Sequence, residues 1–197
     1  MEGIMPQGEY TLERWKDRSG PRWNRKHGYR GSLGEFGSVE VVCPAQRHGD
    51  TYVTEVRANA LPLVSFSGWA WGAKPSLHLG QLTVAGEGVR LRRNRWALSR
   101  QGRALRFQVA GRAYRYYATS PRHRHRALAR EGVEIEVCRP RGGVGKRATV
   151  RVRGTADATD VALAVVMCGV NTRNLTRGGA VRAFFGRAFN FLDVFHH

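Results

Sequence analysis

The stretch ADATDVALAVVMCGV, Ala156 to Val170, decides the fold, because Val161 to Cys168 is apolar at eight consecutive positions. A surface helix shows polar residues recurring on one face. This run has none, so a helix here must be walled in on every side. Lipid is excluded by length: from Asp160 to Val170 the segment rises about 16 Å at ~1.5 Å per residue, against a bilayer core of about 30 Å. Asp157, Thr159 and Asp160 stand where a helix start needs acceptors for its free N–H groups and negative charge for its dipole. Gly169 and Asn171 mark the end. The β-branched pair Val165 and Val166 also suits a buried strand, which periodicity alone does not separate from helix; the start signals favour helix.

Upstream of this run the period is that of strands, with turns of Gly, Pro and polar residues about every ten residues from Gly37 onward. Ser38 to Cys43, Tyr52 to Ala58, Leu61 to Phe66, Leu77 to Val84, Gly88 to Arg92, Trp96 to Arg100, Ala104 to Val109 and Ala113 to Ala118 all read as strands. In the fourth-last of the readable runs, RALRFQVA, Leu105, Phe107 and Val109 share one face while Arg106 and Gln108 take the other. VEIEVC and ATVRVRG read as a hairpin around RPRGGVGKR. In it, Val133, Ile135 and Val137 meet Val150 and Val152, and Glu134 and Glu136 face Arg153 and Arg151. Gly68, between Phe66 and the tryptophans 69 and 71, predicts a bulge.

Ten or eleven strands followed by one all-apolar helix, DVALAVVMC, resemble the tubby-like and LURP-one-related family over Gly37 to Val170. The resemblance implies a mainly β fold, a closed antiparallel barrel of about ten to twelve strands around a buried apolar helix. It also implies no established catalytic centre and, in the tubby and scramblase-like branches, association with phosphoinositides, membranes or sometimes DNA. A β-sandwich with one docked helix is the alternative. The organisation expected is a basic N-terminal arm at 1–34, the barrel at 35–170 and a C-terminal tail at 171–197. Within the arm, Thr11 to Lys16 reads as one helical turn.

The chain carries 33 Lys and Arg against 15 Asp and Glu, a net charge of +18. Such an excess implies a polyanion as partner, whether nucleic acid, an anionic membrane surface or an acidic protein. Total charge alone also follows from Arg-rich composition, since only four of the basic residues are Lys; placement is more telling. From Gly88 to Arg130 there are thirteen arginines and no acid, with Tyr114, Tyr116 and Tyr117 interleaved. On adjacent strands these build one basic face suited to phosphates, because the guanidinium fork binds them bidentately and stays charged. The anion-binding residues expected are Arg90, Arg92, Arg93, Arg95, Arg106, Arg112, Arg115, Arg122, Arg124 and Arg126. Exposed tyrosines on that face would favour single strands; their absence would favour phosphates alone.

The function read from this is a non-enzymatic domain binding an anionic surface such as phospholipid headgroups. A nucleic-acid binder using the same face and the arm is the alternative, and an uncharacterised enzyme comes third. RPRGGVGKR fails as a phosphate loop: Pro140 takes a Gly position, Arg147 replaces Ser or Thr, and a strand follows. His123 and His125 are two apart, as a strand metal pair would be, but no third ligand accompanies them in sequence and arginines flank them. No metal and no cofactor is expected. Cys43, Cys138 and Cys168 form no disulfide framework and read as small buried hydrophobes. MEGIMPQGEY lacks the basic start and apolar core of a secretory signal, so a cytoplasmic location, peripheral to a membrane if lipid is the partner, is expected.

After the core run, Val181, Phe184, Phe185, Ala188, Phe189 and Leu192 recur at helical spacing. This amphipathic helix has three candidate seats: the barrel, an identical partner or a membrane interface. Burial of each ring is worth roughly 1.5 to 3 kcal/mol, which favours the protein itself or a homodimer through Val181, Phe184, Phe185, Phe189 and Leu192.

Overall fold

The computed structural model describes residues 4–5, 7–17, 19, 25–71, 74–94, 96–97, 99–120, 125–139 and 147–176, of which 4–5, 45–48 and 70–71 in backbone only. The expected C-terminal helix and residues 140–146 of the hairpin loop lie outside them. In chain order the strands are β1 (Ile4–Met5), β2 (Gly8–Lys16), β3 (His27–Ser32), β4 (Ser38–His48), β5 (Thr51–Ala58), β6 (Val64–Trp71), β7 (Lys74–Pro75) and β8 (Gln81–Val84). They continue with β9 (Glu87–Val89), β10 (Arg92–Arg93), β11 (Leu105–Val109), β12 (Arg112–Ala118), β13 (His125–Arg130), β14 (Val133–Cys138), β15 (Arg147–Gly154) and β16 (Ala156–Asp157). One α-helix, α1 (Ala158–Val166), follows.

Thirteen strands form one antiparallel ladder in the order β10-β11-β12-β13-β14-β15-β2-β3-β4-β5-β6-β8-β9, with β7 added beside β6 and a separate β1–β16 pair. The ladder is open: β9 comes into contact with β11, but no pairing among the described residues joins β9 to β10. The closed barrel expected from the sequence is in this respect corrected.

Side-chain alternation builds the core. On one face Leu105, Tyr116, Leu128, Ile135 and Val152 are successive cross-strand partners, and all are buried. The β14–β15 register pairs Glu134 with Arg153 and Glu136 with Arg151, as the charge pattern predicts. Two-residue turns at Ala85–Gly86 and Ala110–Gly111 have positive φ at both positions, 48° and 88° in the first and 48° and 75° in the second, the backbone twist that suits a tight hairpin.

The apolar run is a helix, and Val161 to Val166 are at most 1% exposed. Its start is a reciprocal cap. Asp157 accepts from the Asp160 N–H at 3.0 Å, and Asp160 accepts from the Asp157 N–H at 3.0 Å. Past Val166 the chain tightens into a 3-10 turn, Met167–Gly169, and Lys74 Nζ donates to the Cys168 carbonyl at 2.7 Å, placing a cation at the negative end of the dipole. The helix touches β5 and β6 on one arm of the ladder and β13 and β14 on the other.

Four expectations are corrected. The stretch read as an arm contains two strands near the centre of the ladder: β2, which replaces the helical turn at Thr11 to Lys16, pairs with β15, and β3 pairs with β4. Among the described residues of the run at 96–100, namely 96–97 and 99–100, none lies in a strand, whereas HRALAR, not read as one, is β13. Gly68 makes no bulge, because the β5–β6 register runs unbroken past it. A Cβ at Gly68 would lie 2.8 Å from the Ser76 carbonyl, so close backbone approach, not a bulge, explains the glycine. Gly169 ends the 3-10 turn where the sequence marks the end of the apolar run, and a Cβ there would lie 2.0 Å from Thr54 Oγ1.

Candidate anion-binding groove

Strands β10, β11 and β12 carry the site. Their register sets Arg92 opposite Arg106, and Arg106 opposite Arg115. All three are exposed, on the face away from the buried row. The line continues through Ala129 and meets its first carboxylate at Glu134 on β14. Like charges directly opposite each other destabilise a sheet, and here two consecutive ladders carry that cost. A groove with a volume of about 1030 Å³ runs here, lined by Arg90, Arg92, Arg93, Arg106 and Arg115, with Arg130 and Glu131 also on its wall.

The other expected site residues go elsewhere. In β13, Arg126 shares the inward register of Leu128 and belongs to the core face. Arg126 is 1% exposed; its Nε donates to Thr172 Oγ1 and its Nη2 to the Thr172 carbonyl, each at 3.2 Å, and its Nη1 to the His125 carbonyl at 2.9 Å. Burial pushes its guanidinium down to about 10. It is no part of an anion-binding surface. Arg112 pairs with Asp157 at the helix start, and that hydrogen bond raises its pKa, so it too is committed to the fold. Arg95, Arg122 and Arg124 lie outside the described residues.

The interleaved tyrosines do not form a stacking platform. Tyr114 is buried, stacks on Phe107 with ring centroids 5.5 Å apart, and donates to Asp160 at 2.8 Å. Tyr116 is buried. Tyr117 donates to Glu134 at 2.9 Å, and its ring lies 5.0 Å beneath the Arg115 guanidinium. Beside the groove, Trp96 is 90% exposed, and its backbone N–H is fixed by the side chain of Asn94, a groove residue, at 3.0 Å. Sequence reading passed over this tryptophan because it placed Trp96 in a strand.

No family model, curated protein or solved structure matches this chain.

Proposed function

We propose that this is a non-enzymatic domain that docks on an anionic phospholipid surface through Arg90, Arg92, Arg93, Arg106 and Arg115. The Arg92–Arg106–Arg115 row carries the reading: three cross-strand neighbours of one sign, no carboxylate in their row before Glu134, and a groove above them. An anion placed there relieves repulsion that the folded protein otherwise bears. Tyr114 and Tyr116 turn inward and so offer single-stranded nucleic acid no row of stacking rings along the strands. Exposed Trp96 at the rim suits the headgroup level of a bilayer. No helix among the described residues is long and apolar enough to cross a membrane. Cys43, Cys138 and Cys168 form no disulfide with one another, which fits a cytoplasmic face.

In the same reading the fold is a tubby-like barrel, with the open ladder curled about α1. Support comes from the helix meeting strands of both arms, and from the approach of β9 to β11 across the opening.

Vesicle co-sedimentation tests the function. Each basic residue near an anionic surface contributes about 1 kcal/mol, so the double variant Arg92→Ala, Arg106→Ala lowers binding to phosphatidylserine vesicles roughly thirtyfold, with no binding to neutral vesicles in either protein. Equal binding by the variant, or a preference for duplex DNA with a log–log salt slope near −4 to −5, overturns it in favour of no groove role or of nucleic acid, respectively.

A further inference from the structure

On the other end of the outer face, β13 and β14 bring together three metal-ligand types. Their register sets His125 directly opposite Cys138, and Glu136 lies two residues before Cys138 on the same side of β14. One ligand atom from each of His125, Glu136 and Cys138 lies within 4.8 Å of the other two, and all three residues are partly buried. We propose that these three side chains form a transition-metal site, with zinc the ion that fits best and one coordination position left open. The inference is independent of the anion-binding groove.

The donor set decides the ion. One imidazole nitrogen, one thiolate and one carboxylate oxygen are the ligands zinc takes, at bond lengths of about 2.0 to 2.3 Å in a tetrahedron, whereas magnesium and calcium require oxygens. Tetrahedral bonds of those lengths separate ligand atoms by about 3.5 Å, so the side chains close inward by rotamer adjustment and the strands need not move.

The surroundings support the carboxylate and spare the charge. Thr119 Oγ1 donates to Glu136 Oε1 at 2.8 Å, orienting the group and leaving Oε2 for the ion. Arg151, the cross-strand neighbour of Glu136, donates to Glu9 at 2.7 Å, and Arg126 turns to the opposite face. Although the chain as a whole is strongly basic, Glu9, Glu134 and Glu136 gather on this part of the sheet. Metal binding breaks the Cys138 S–H bond, forms the metal–sulfur bond and releases the proton to solvent.

The test uses the full chain after chelator treatment, titrated with cobalt(II) and then with zinc(II). The expected result is one equivalent of cobalt giving a sulfur-to-cobalt charge-transfer band and intense visible bands, both abolished by zinc. Cys138→Ser removes the charge-transfer band, His125→Gln weakens zinc binding at least roughly a hundredfold, and Thr119→Ala weakens it about 10- to 100-fold. Circular dichroism melts of the metal-free variants at the wild-type temperature show that each remains folded, and two independent ligand variants keep the test valid if one does not. Absence of the charge-transfer band in the wild type overturns the site. So does a band that survives Cys138→Ser, which assigns it to Cys43 or Cys168, or zinc binding unaltered in both ligand variants, which places the ion elsewhere, such as the terminal pair His196 and His197.

Discussion

Arg130 holds Asp160 with two parallel hydrogen bonds, Nε to Oδ1 at 2.8 Å and Nη2 to Oδ2 at 2.6 Å, joining the end of β13 to the first turn of the buried helix. The Asp160 carboxylate also accepts from Tyr114 and from the Asp157 N–H. A fully buried acid is thus satisfied on several sides, and the arginine it uses comes from the acid-free segment.

Because Asp160 is buried, removing it strands several partners at once. Asp160→Ala should cost about 3 to 5 kcal/mol, read as a fall in urea midpoint at constant m-value. Arg153→Ala breaks the exposed pair with Glu134 and should change stability by less than about 1 kcal/mol.

The division of the arginines between surface and core predicts a double dissociation. Arg106→Ala should weaken binding to anionic vesicles and leave the melting temperature in place, since its side chain is exposed. Arg126→Met should leave vesicle binding unchanged because its guanidinium faces Thr172 inside the fold. Parallel vesicle titrations and thermal melts on both variants check the pair.

His27 is pushed down to about 4, first by burial and then by the charges of Lys74 and Arg14. Folded His27 therefore stays neutral while the unfolded chain takes up a proton near its ordinary value of about 6.5. Between those values the unfolded state binds more protons, so stability is full above pH 6.5 and declines as pH falls toward 4. His27→Gln should flatten this part of a plot of urea midpoint against pH. Asp157, held below the usual carboxylate range because hydrogen bonds from the Asp160 N–H and Arg112 outweigh its burial, adds a separate loss beginning below about pH 4.

Two glycines leave no space for a methyl group. A Cβ at Gly28 would sit 1.6 Å from the Val41 carbonyl oxygen, and one at Gly169 would sit 2.0 Å from Thr54 Oγ1, which itself donates to the Val42 carbonyl. Gly28→Ala and Gly169→Ala should each cost roughly 1 to 3 kcal/mol or more in denaturant melts. Gly88→Ala, whose nearest neighbour is the flexible Gln81 side chain at 3.3 Å, should cost less than either.

At the β11–β12 turn, Ala110 has φ 48° and precedes Gly111, a position where Asn is far better accommodated than Ala. Ala110→Asn should raise stability by about 0.5 to 1 kcal/mol, measured by calorimetry, with no effect on vesicle binding.

What sequence reading reached depended on how strictly each strand alternates. VEIEVC and ATVRVRG place apolar residues at every second position, and their pairing followed even to the Glu–Arg register. HRALAR hid as a strand because Arg126 occupies an inward position while Ala127 and Ala129 take the outward ones. Without that parity, Arg126 was assigned to the surface. In β2 only Leu12 is fully buried, too little apolar signal for a strand whose partners supply the rest. The groove arginines were legible because absence of acid is a local property of the chain. The His125, Glu136 and Cys138 cluster was not, since only the pairing of β13 with β14 brings it together.

The β2–β15 pairing sets an order of events during synthesis. Glu9 and Arg151 meet across 142 residues of chain, so at about 5 to 20 residues per second β2 waits on the order of ten seconds for the strand that covers its edge. During that interval β2 through β9 can assemble as neighbouring strands, but β2 presents an unpaired edge to every other nascent chain nearby. The glutamates at positions 9 and 13, later partners of Arg151 and Arg147, keep that waiting edge charged until its own partner emerges.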